Sequence, residues 1–241
     1  YLTLLAVVVA TLNRPNLLLK LLDNLYRQTL RPDLIIICDA SDSNKKINPS
    51  NYYYTSEPEI IITGSRGCVR NCTFCTVESI WNKFVFKSGE RIAQEIFTNW
   101  QQTGVNKFSF SDSLINGSIS NFYQFNLLLA EEKAKNSDLK DISYIGQFIC
   151  RPQTQMPKNH YEAMYYAGCK QLTIGIESFS ESVRTHMRKK FTNADIDYHI
   201  EQCSYWNIKN VWLMICGYPT ETVNDHQDNL RGIERYHRYA E

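Results

Sequence analysis

Three cysteines fall within eight residues, Cys68, Cys72 and Cys75, spaced x3 then x2, and no other feature limits the fold as sharply. Sulfurs that close along a chain cannot all pair with one another, so a disulfide framework explains them poorly. A soft-metal site explains them better. Thiolates hold zinc or iron–sulfur clusters, and a cluster asks for several sulfurs converging from one tight loop. Zinc needs a fourth ligand, whereas a 4Fe-4S cluster on three protein sulfurs keeps one iron open for a substrate or cofactor. The stretch reads Gly64-Ser65-Arg66-Gly67-Cys68-Val69-Arg70-Asn71-Cys72-Thr73-Phe74-Cys75 and follows the β-formers Glu59 to Thr63. A strand must therefore deliver its end to this loop.

Beyond the loop, strands and helices alternate. Ser88 is placed to cap a helix carrying Ile92, Ile96 and Trp100 on one face, and Gly104 to end it. Lys107 to Phe110 is a strand, followed by Ser111-Asp112-Ser113 and a helix from about Ser120 to Lys135. Ile142 to Cys150 reads as a strand with Gln147 and Arg151 at its end, and Pro157 to Ala167 as a helix stopped by Gly168. Gln171 to Ile176 is a strand running into Glu177, with helices over Ser180 to Lys189 and Thr192 to Trp206. Lys209 to Cys216 precedes Gly217, and Thr222 to Ala240 is helical. Repeated strand then helix implies an α/β fold with a parallel sheet, whose site lies at the C-terminal strand ends. The residues expected there are the cysteines, Asp112, Gln147 with Arg151, Glu177 and Gly217. The run Arg184, His186, Arg188, Lys189 and Lys190 reads as a solvated helix face, and His160, His199, His226 and His237 as surface residues.

The first 39 residues form a separate pattern. Residues 3 to 10 read as a buried strand, leucines from Leu17 to Leu25 recur at helical spacing, and Leu34 to Cys38 is a second strand ending at Asp39. This βαβ unit has parallel strands with a right-handed crossover. Residues 41 to 57, rich in Ser, Asn, Lys and Tyr, read as the linker to the main domain, and the expected division is 1–45, 46–57 and 58–241.

With 26 basic and 25 acidic residues the net charge is +1, which gives no global pull toward nucleic acid or an anionic membrane. No run approaches the roughly 20 apolar residues of a membrane helix. The five scattered cysteines, Cys38, Cys150, Cys169, Cys203 and Cys216, lie in or beside apolar runs and read as reduced, buried thiols of a cytoplasmic protein. The chain opens on Tyr1, and its expected final helix runs to the terminus, so a C-terminally truncated core is expected.

Cys68-x3-Cys72-x2-Cys75, with Phe74 before the last cysteine, resembles the signature of the radical S-adenosylmethionine (SAM) enzymes. The resemblance covers about residues 58 to 241 and implies a partial (βα)6 TIM-like barrel with a 4Fe-4S cluster and SAM as cofactors. Cys68, Cys72 and Cys75 would ligate three irons, leaving the fourth for SAM, and Phe74 would lie along the adenine. Asp112 stands where the family binds the SAM amino group, and Gln147 and Gly217 sit on the same rim. Leu172 to Ser178 resembles the branch that includes methylthiotransferases and cobalamin-associated members, in which the residue matching Glu177 binds ribose hydroxyls. A basic residue after it, here Arg188, would meet the SAM carboxylate. The chemistry implied is reductive cleavage of SAM to methionine and a 5'-deoxyadenosyl radical that takes hydrogen from a substrate. An external one-electron donor such as a flavodoxin or ferredoxin would supply the electron.

Val8 to Pro15 and Gln28 to Ser43 resemble the start of family 2 nucleotide-sugar glycosyltransferases, where Thr11 and Asp39 would contact the nucleotide. The later metal site and catalytic base of that family have no counterpart here, so a non-catalytic accessory unit is the preferred reading. Glycosyl transfer by this segment, and a metal-binding module without turnover, are the alternatives.

Overall fold

A computed structural model describes residues 6–11, 15–27, 34–39 and 58–239. The chain forms two compact units, Tyr1–Pro58 and Glu59–Glu241.

In the first unit, strand β1 (Ala6–Thr11) and strand β2 (Leu34–Asp39) pair in parallel around helix α1 (Pro15–Tyr26). Parallel neighbours need a crossover, and the amphipathic helix supplies it by burying Leu18, Leu22 and Leu25. Thr11 and Asp39 are register partners at the C-terminal ends of the two strands. Their side chains, that of Cys38, and the expected linker over 46–57 lie outside the described residues.

The second unit is built on five parallel strands in consecutive order. They are interleaved with the other elements as β3 (Glu59–Ile62), β4 (Ser65–Arg66), α2 (Val77–Ile80), β5 (Val85–Phe86), α3 (Gly89–Thr103), β6 (Lys107–Phe110), α4 (Ile119–Lys135), β7 (Ser143–Phe148), α5 (Lys158–Ala167), β8 (Cys169–Glu177), α6 (Glu181–His186), α7 (Asn193–Tyr205), β9 (Lys209–Met214) and α8 (Val223–Tyr236). The sheet order is β3-β6-β7-β8-β9, each pair parallel, and β4 and β5 form a small antiparallel pair of their own. Helix ends are set by local chemistry. Ser88 Oγ accepts from Arg91 N at 3.3 Å at the start of α3, and Gly104 ends it in a left-handed conformation with φ 71°. Thr192 with Asp195, and Thr222 with Asp225, form reciprocal capping boxes on α7 and α8.

The core lies between the sheet and the helices. Phe108, Phe110, Phe122, Phe125, Tyr144 and Phe148 form its aromatic centre, with edge-on contacts such as Phe110 to Tyr144 at 5.6 Å between ring centroids. Each such ring contributes about 1.5–3 kcal/mol by leaving water. Among the polar groups inside, one histidine is paired at both ring nitrogens. His199 sits between Tyr161 Oη at 3.0 Å and Asn210 Oδ1 at 3.0 Å, and burial pushes its pKa down to about 4. The sequence expectation of a surface histidine fails there because Tyr161 and Asn210, far apart along the chain, meet only after β9 docks beside β8.

Candidate active site

The loop between β3 and α3 carries the three cysteines, and the sheet holds it at both ends. At its start, Asp112 at the tip of β6 is buried and accepts from Gly64 N at 2.8 Å and from Ser65 Oγ. Burial raises its carboxyl above the usual range, and the bonds from Ser65 and Gly64 oppose that rise. Both oxygens are taken up by the loop, so this carboxylate fixes where the loop leaves the sheet. Further on, Thr73 N donates to Met187 O at 3.2 Å, and the Thr73 hydroxyl lies 2.7 Å from Tyr218 Oη. Thr73 thus ties the loop to the end of α6 and to the segment that follows β9. Gly67 has φ 82°, and a Cβ there would lie 2.7 Å from Lys83 O, so only glycine fits this close approach.

Cys68 and Cys72 are half-buried and Cys75 is exposed; all three are free thiols. Burial pushes the Cys72 thiol up, the Lys189 ammonium draws it back, and Cys68, Cys75 and Glu177 add to the rise. The loop therefore meets the β8 rim, and three thiols, a carboxylate and an ammonium share one field. Cys150, Cys169 and Cys203 are buried as expected, whereas Cys216 is exposed, because β9 ends at Met214 and the chain has already left the sheet.

Glu177 ends β8 at a register shift, where Gly175 pairs with Leu213 and Glu177 with Met214. Its φ is 64°, a left-handed conformation that costs a non-glycine residue about 1–3 kcal/mol. The bulge turns its side chain onto the rim. Lys189 Nζ lies 2.9 Å from Glu177 Oε1 and donates to Gly175 O at 2.7 Å. The same ammonium stands 5.6 Å from the Phe74 ring centroid and 5.9 Å from that of Phe191. Phe74, exposed on the loop, and Glu177, buried on β8, are thereby joined through one lysine.

Gln147 lies exposed at the β7 tip, its backbone carbonyl accepting from Ile115 N at 2.9 Å. Arg151 is buried, donates to Asn116 O at 3.1 Å, and is lowered to about 10 by burial and the Arg70 charge, with Cys68 opposing. Gly217 follows β9 with φ 75° and donates to Glu221 Oε2 at 2.5 Å. Arg188 is exposed, with φ 58°. The cation the rim uses beside Glu177 is its neighbour, Lys189. The expectation of a solvated basic helix face fails at Arg184 as well. That side chain is 1% exposed and donates to Ser178 O at 2.5 Å and Asn193 Oδ1 at 2.6 Å. Sequence reasoning placed Lys189 on a solvated basic face and had no signal for Thr73, whose partners Met187 and Tyr218 are distant along the chain. The short spacing from Glu177 to Lys189 across one helix is the nearest to a signal for that lysine.

The donor set fits an iron–sulfur cluster. Three free thiols rise from one loop, one of them open to solvent, beside a polar rim able to take a bulky polar ligand. Among the described residues, no three His, Cys, Asp or Glu side chains gather as a single metal ion requires.

A parallel α/β sheet with a three-thiol loop on its first strand end, facing a carboxylate and an ammonium on a later one, defines a metallocofactor enzyme of partial-barrel type. The chain belongs to the Radical SAM superfamily, whose family model matches residues 62–231. Enzymes of this superfamily use a 4Fe-4S cluster and SAM. Among curated relatives, the ribosomal protein uS12 methylthiotransferase RimO of Clostridium botulinum is 29% identical over 201 residues, covering 80% of this chain and 44% of the relative. The chain thus spans less than half the length of the curated relatives it matches. Among solved structures, the radical SAM methyltransferase TsrM from Kitasatospora setae, with cobalamin and a [4Fe-4S] cluster bound, superposes with a TM-score of 0.68 at 15% identity, over 81% of this chain and 38% of that one. The cobalamin-dependent radical enzyme OxsB, with aqua-cobalamin and SAM bound, gives 0.62 at 18% identity over 73% and 26%. These likenesses show the fold. Among the described residues no helix is long and apolar enough to cross a membrane.

Proposed function

We propose that the chain is the catalytic core of an enzyme that cleaves SAM reductively at a 4Fe-4S cluster held by Cys68, Cys72 and Cys75. A cluster held by these thiols would supply the one electron needed for reductive cleavage of SAM to methionine and a 5'-deoxyadenosyl radical. The protein's part is to hold and orient. Asp112 and Thr73 fix the loop at its two ends, so that the thiols stand at a set place against the rim. Phe74 offers its ring to the adenine, and Glu177 its carboxylate to the ribose hydroxyls. Lys189 holds that carboxylate in its left-handed position and offers a cation to the carboxylate of SAM, the part the sequence resemblance gave to Arg188. Gln147 and Gly217 complete the rim. The observation that carries this reading is the placement of Lys189, 2.9 Å from Glu177 Oε1 on β8 and 5.6 Å from the ring centroid of Phe74 on the cysteine loop.

Anaerobic reconstitution with iron and sulfide, followed by dithionite and SAM, tests it. The expected products are 5'-deoxyadenosine and methionine. A protein that takes up four irons yet leaves SAM intact would be a binding module instead.

The βαβ unit is read as a non-catalytic accessory. It lies outside residues 62–231, and Thr11 and Asp39, register partners at its strand ends, are the residues that the resemblance to nucleotide-sugar transferases would assign to a nucleotide. Measurable binding of a uridine diphosphate sugar, lost in T11A/D39A, would overturn that.

A further inference from the structure

Two arginines meet beside Cys68 with no carboxylate to answer their charge. Arg151, 7% exposed, follows β7, the middle strand of the sheet, and Arg70 stands half-buried on the cysteine loop. Each has a buried Nε without a hydrogen-bond partner. Arg151 Nη2 donates to the neutral carbonyl of Asn116 at 3.1 Å, and Asn116 is clamped in turn to Ile149, its Nδ2 donating to Ile149 O at 2.9 Å and its Oδ1 accepting from Ile149 N at 3.2 Å. The guanidinium is thus held in place before any ligand arrives.

A bare Nε is no site by itself, since buried Arg184 has one too. The difference is charge. Arg184 has Glu181 at 3.6 Å, whereas Arg151 is lowered by burial and by the Arg70 guanidinium, with the Cys68 thiol the one opposing influence. Two like charges brought together in a buried place are unfavourable alone, and an anion between them relieves both. The rim's own acids are committed elsewhere. Asp112 accepts from Gly64 N and Ser65 Oγ, and Glu177 pairs with Lys189. An oxidised cluster on three thiolates is singly negative and SAM singly positive, so the two offset one another and leave the arginines unanswered. What suits a pair of guanidiniums is an oxyanion, which their forked N–H groups bind at two oxygens.

We propose that Arg70 and Arg151 bind an anionic oxygen group of the substrate, a carboxylate or a phosphate, so that the enzyme acts on an acidic molecule anchored on the Cys68 side of the rim. This names a substrate class for the site described above and rests on that reading.

Calorimetry on the reconstituted, unreduced full chain tests it, with SAM saturating so that the cofactor fills its own carboxylate site and stays intact. Acetate and inorganic phosphate are the probes, and acetamide at equal ionic strength is the neutral control. Wild type should bind at least one of the two anions saturably and acetamide not at all, and the anion preferred tells a carboxylate substrate from a phosphate one. R70M, which changes a half-buried loop side chain, should weaken that anion at least about tenfold, as the loss of a charged hydrogen bond does. R151K keeps the charge and loses the fork, and should weaken it as well. SAM affinity should fall far less than the anion's in both variants. Absence of anion binding to wild type, equal affinity in wild type and R70M, or acetamide bound as well as acetate would each overturn the proposal. A loss of SAM affinity matching that of the anion would also overturn it, by giving the arginines to the cofactor. A wild-type chain that takes up no cluster or no SAM would instead overturn the reading beneath it.

Discussion

Between Gly64 and Phe86 the chain leaves the core, exposes Phe74, Trp81 and Val85, and is held by a few bonds at its ends; from Leu172 to Ser180 nearly every side chain is buried or bonded. Both stretches contribute to one rim. The first carries the thiols, which on the proposed reading meet the cofactor and an electron source, and it is not packed over. The second carries Glu177, whose left-handed backbone persists only because β9 and α8 fix its surroundings. Asn229 Oδ1 accepts from Phe179 N at 2.6 Å, and Ser180 Oγ donates to Asp225 Oδ1 at 2.5 Å, so α8 locks the turn after β8. Reactive groups sit on the loosely packed side and the geometry that aims them on the rigid side.

Breaking the loop should abolish chemistry and spare the fold. Each of C68A, C72A and C75A should lose cluster absorption and all 5'-deoxyadenosine, while the melting temperature moves by no more than about 3 °C, since none of these side chains belongs to the core. A collapse of the circular dichroism melt would show the loop to be structural and dissolve the contrast.

Breaking the rim should cost both. K189M leaves the buried Glu177 carboxylate without its ion partner and should destabilise the chain by about 3 kcal/mol in urea unfolding, with SAM affinity reduced more than about tenfold by calorimetry. E177Q/K189M should regain most of the stability and none of the affinity. If the double variant binds SAM as wild type does, the pair has no part in the site.

On the rigid side alone, acid should act through His199. Its folded pKa of about 4 lies below the ordinary 6.5, so the neutral ring is favoured in the fold. The stabilisation is complete above pH 6.5 and is lost as pH falls toward 4, by at most about 3 kcal/mol. Urea midpoints across that range, compared with those of H199Q, isolate it; equal slopes for the two proteins would remove His199 from the account.

The smallest effect sharpens where the loop begins. D112A should lower stability by about 1–3 kcal/mol through the unpaired Gly64 N–H, and should speed protease cleavage between residues 66 and 86 by more than it lowers the urea midpoint. Cleavage at the wild-type rate would mean that the loop is held from Thr73 alone.

Much of this was legible in the residues. Helix starts and stops, Ser88 and Gly104 among them, depend on chemistry within a few positions, and the strands announce themselves as β-branched or apolar runs. The cysteine spacing names its loop for the same reason. Arg184, His199, Lys189 and Cys216 were misread or missed because burial and pairing depend on how β8, α7 and β9 pack together, and a basic or aromatic side chain looks alike on a solvated face and in a paired interior.

The sequence alone determined the α/β class, the order of elements and the thiol loop, because each follows from local propensity and spacing. The tertiary structure decided that Asp112 grips the loop, that Lys189 meets Glu177, and that Thr73 ties the loop to the end of α6 and the segment after β9. Those contacts join segments that no local spacing brings together, and only packing sets their distances.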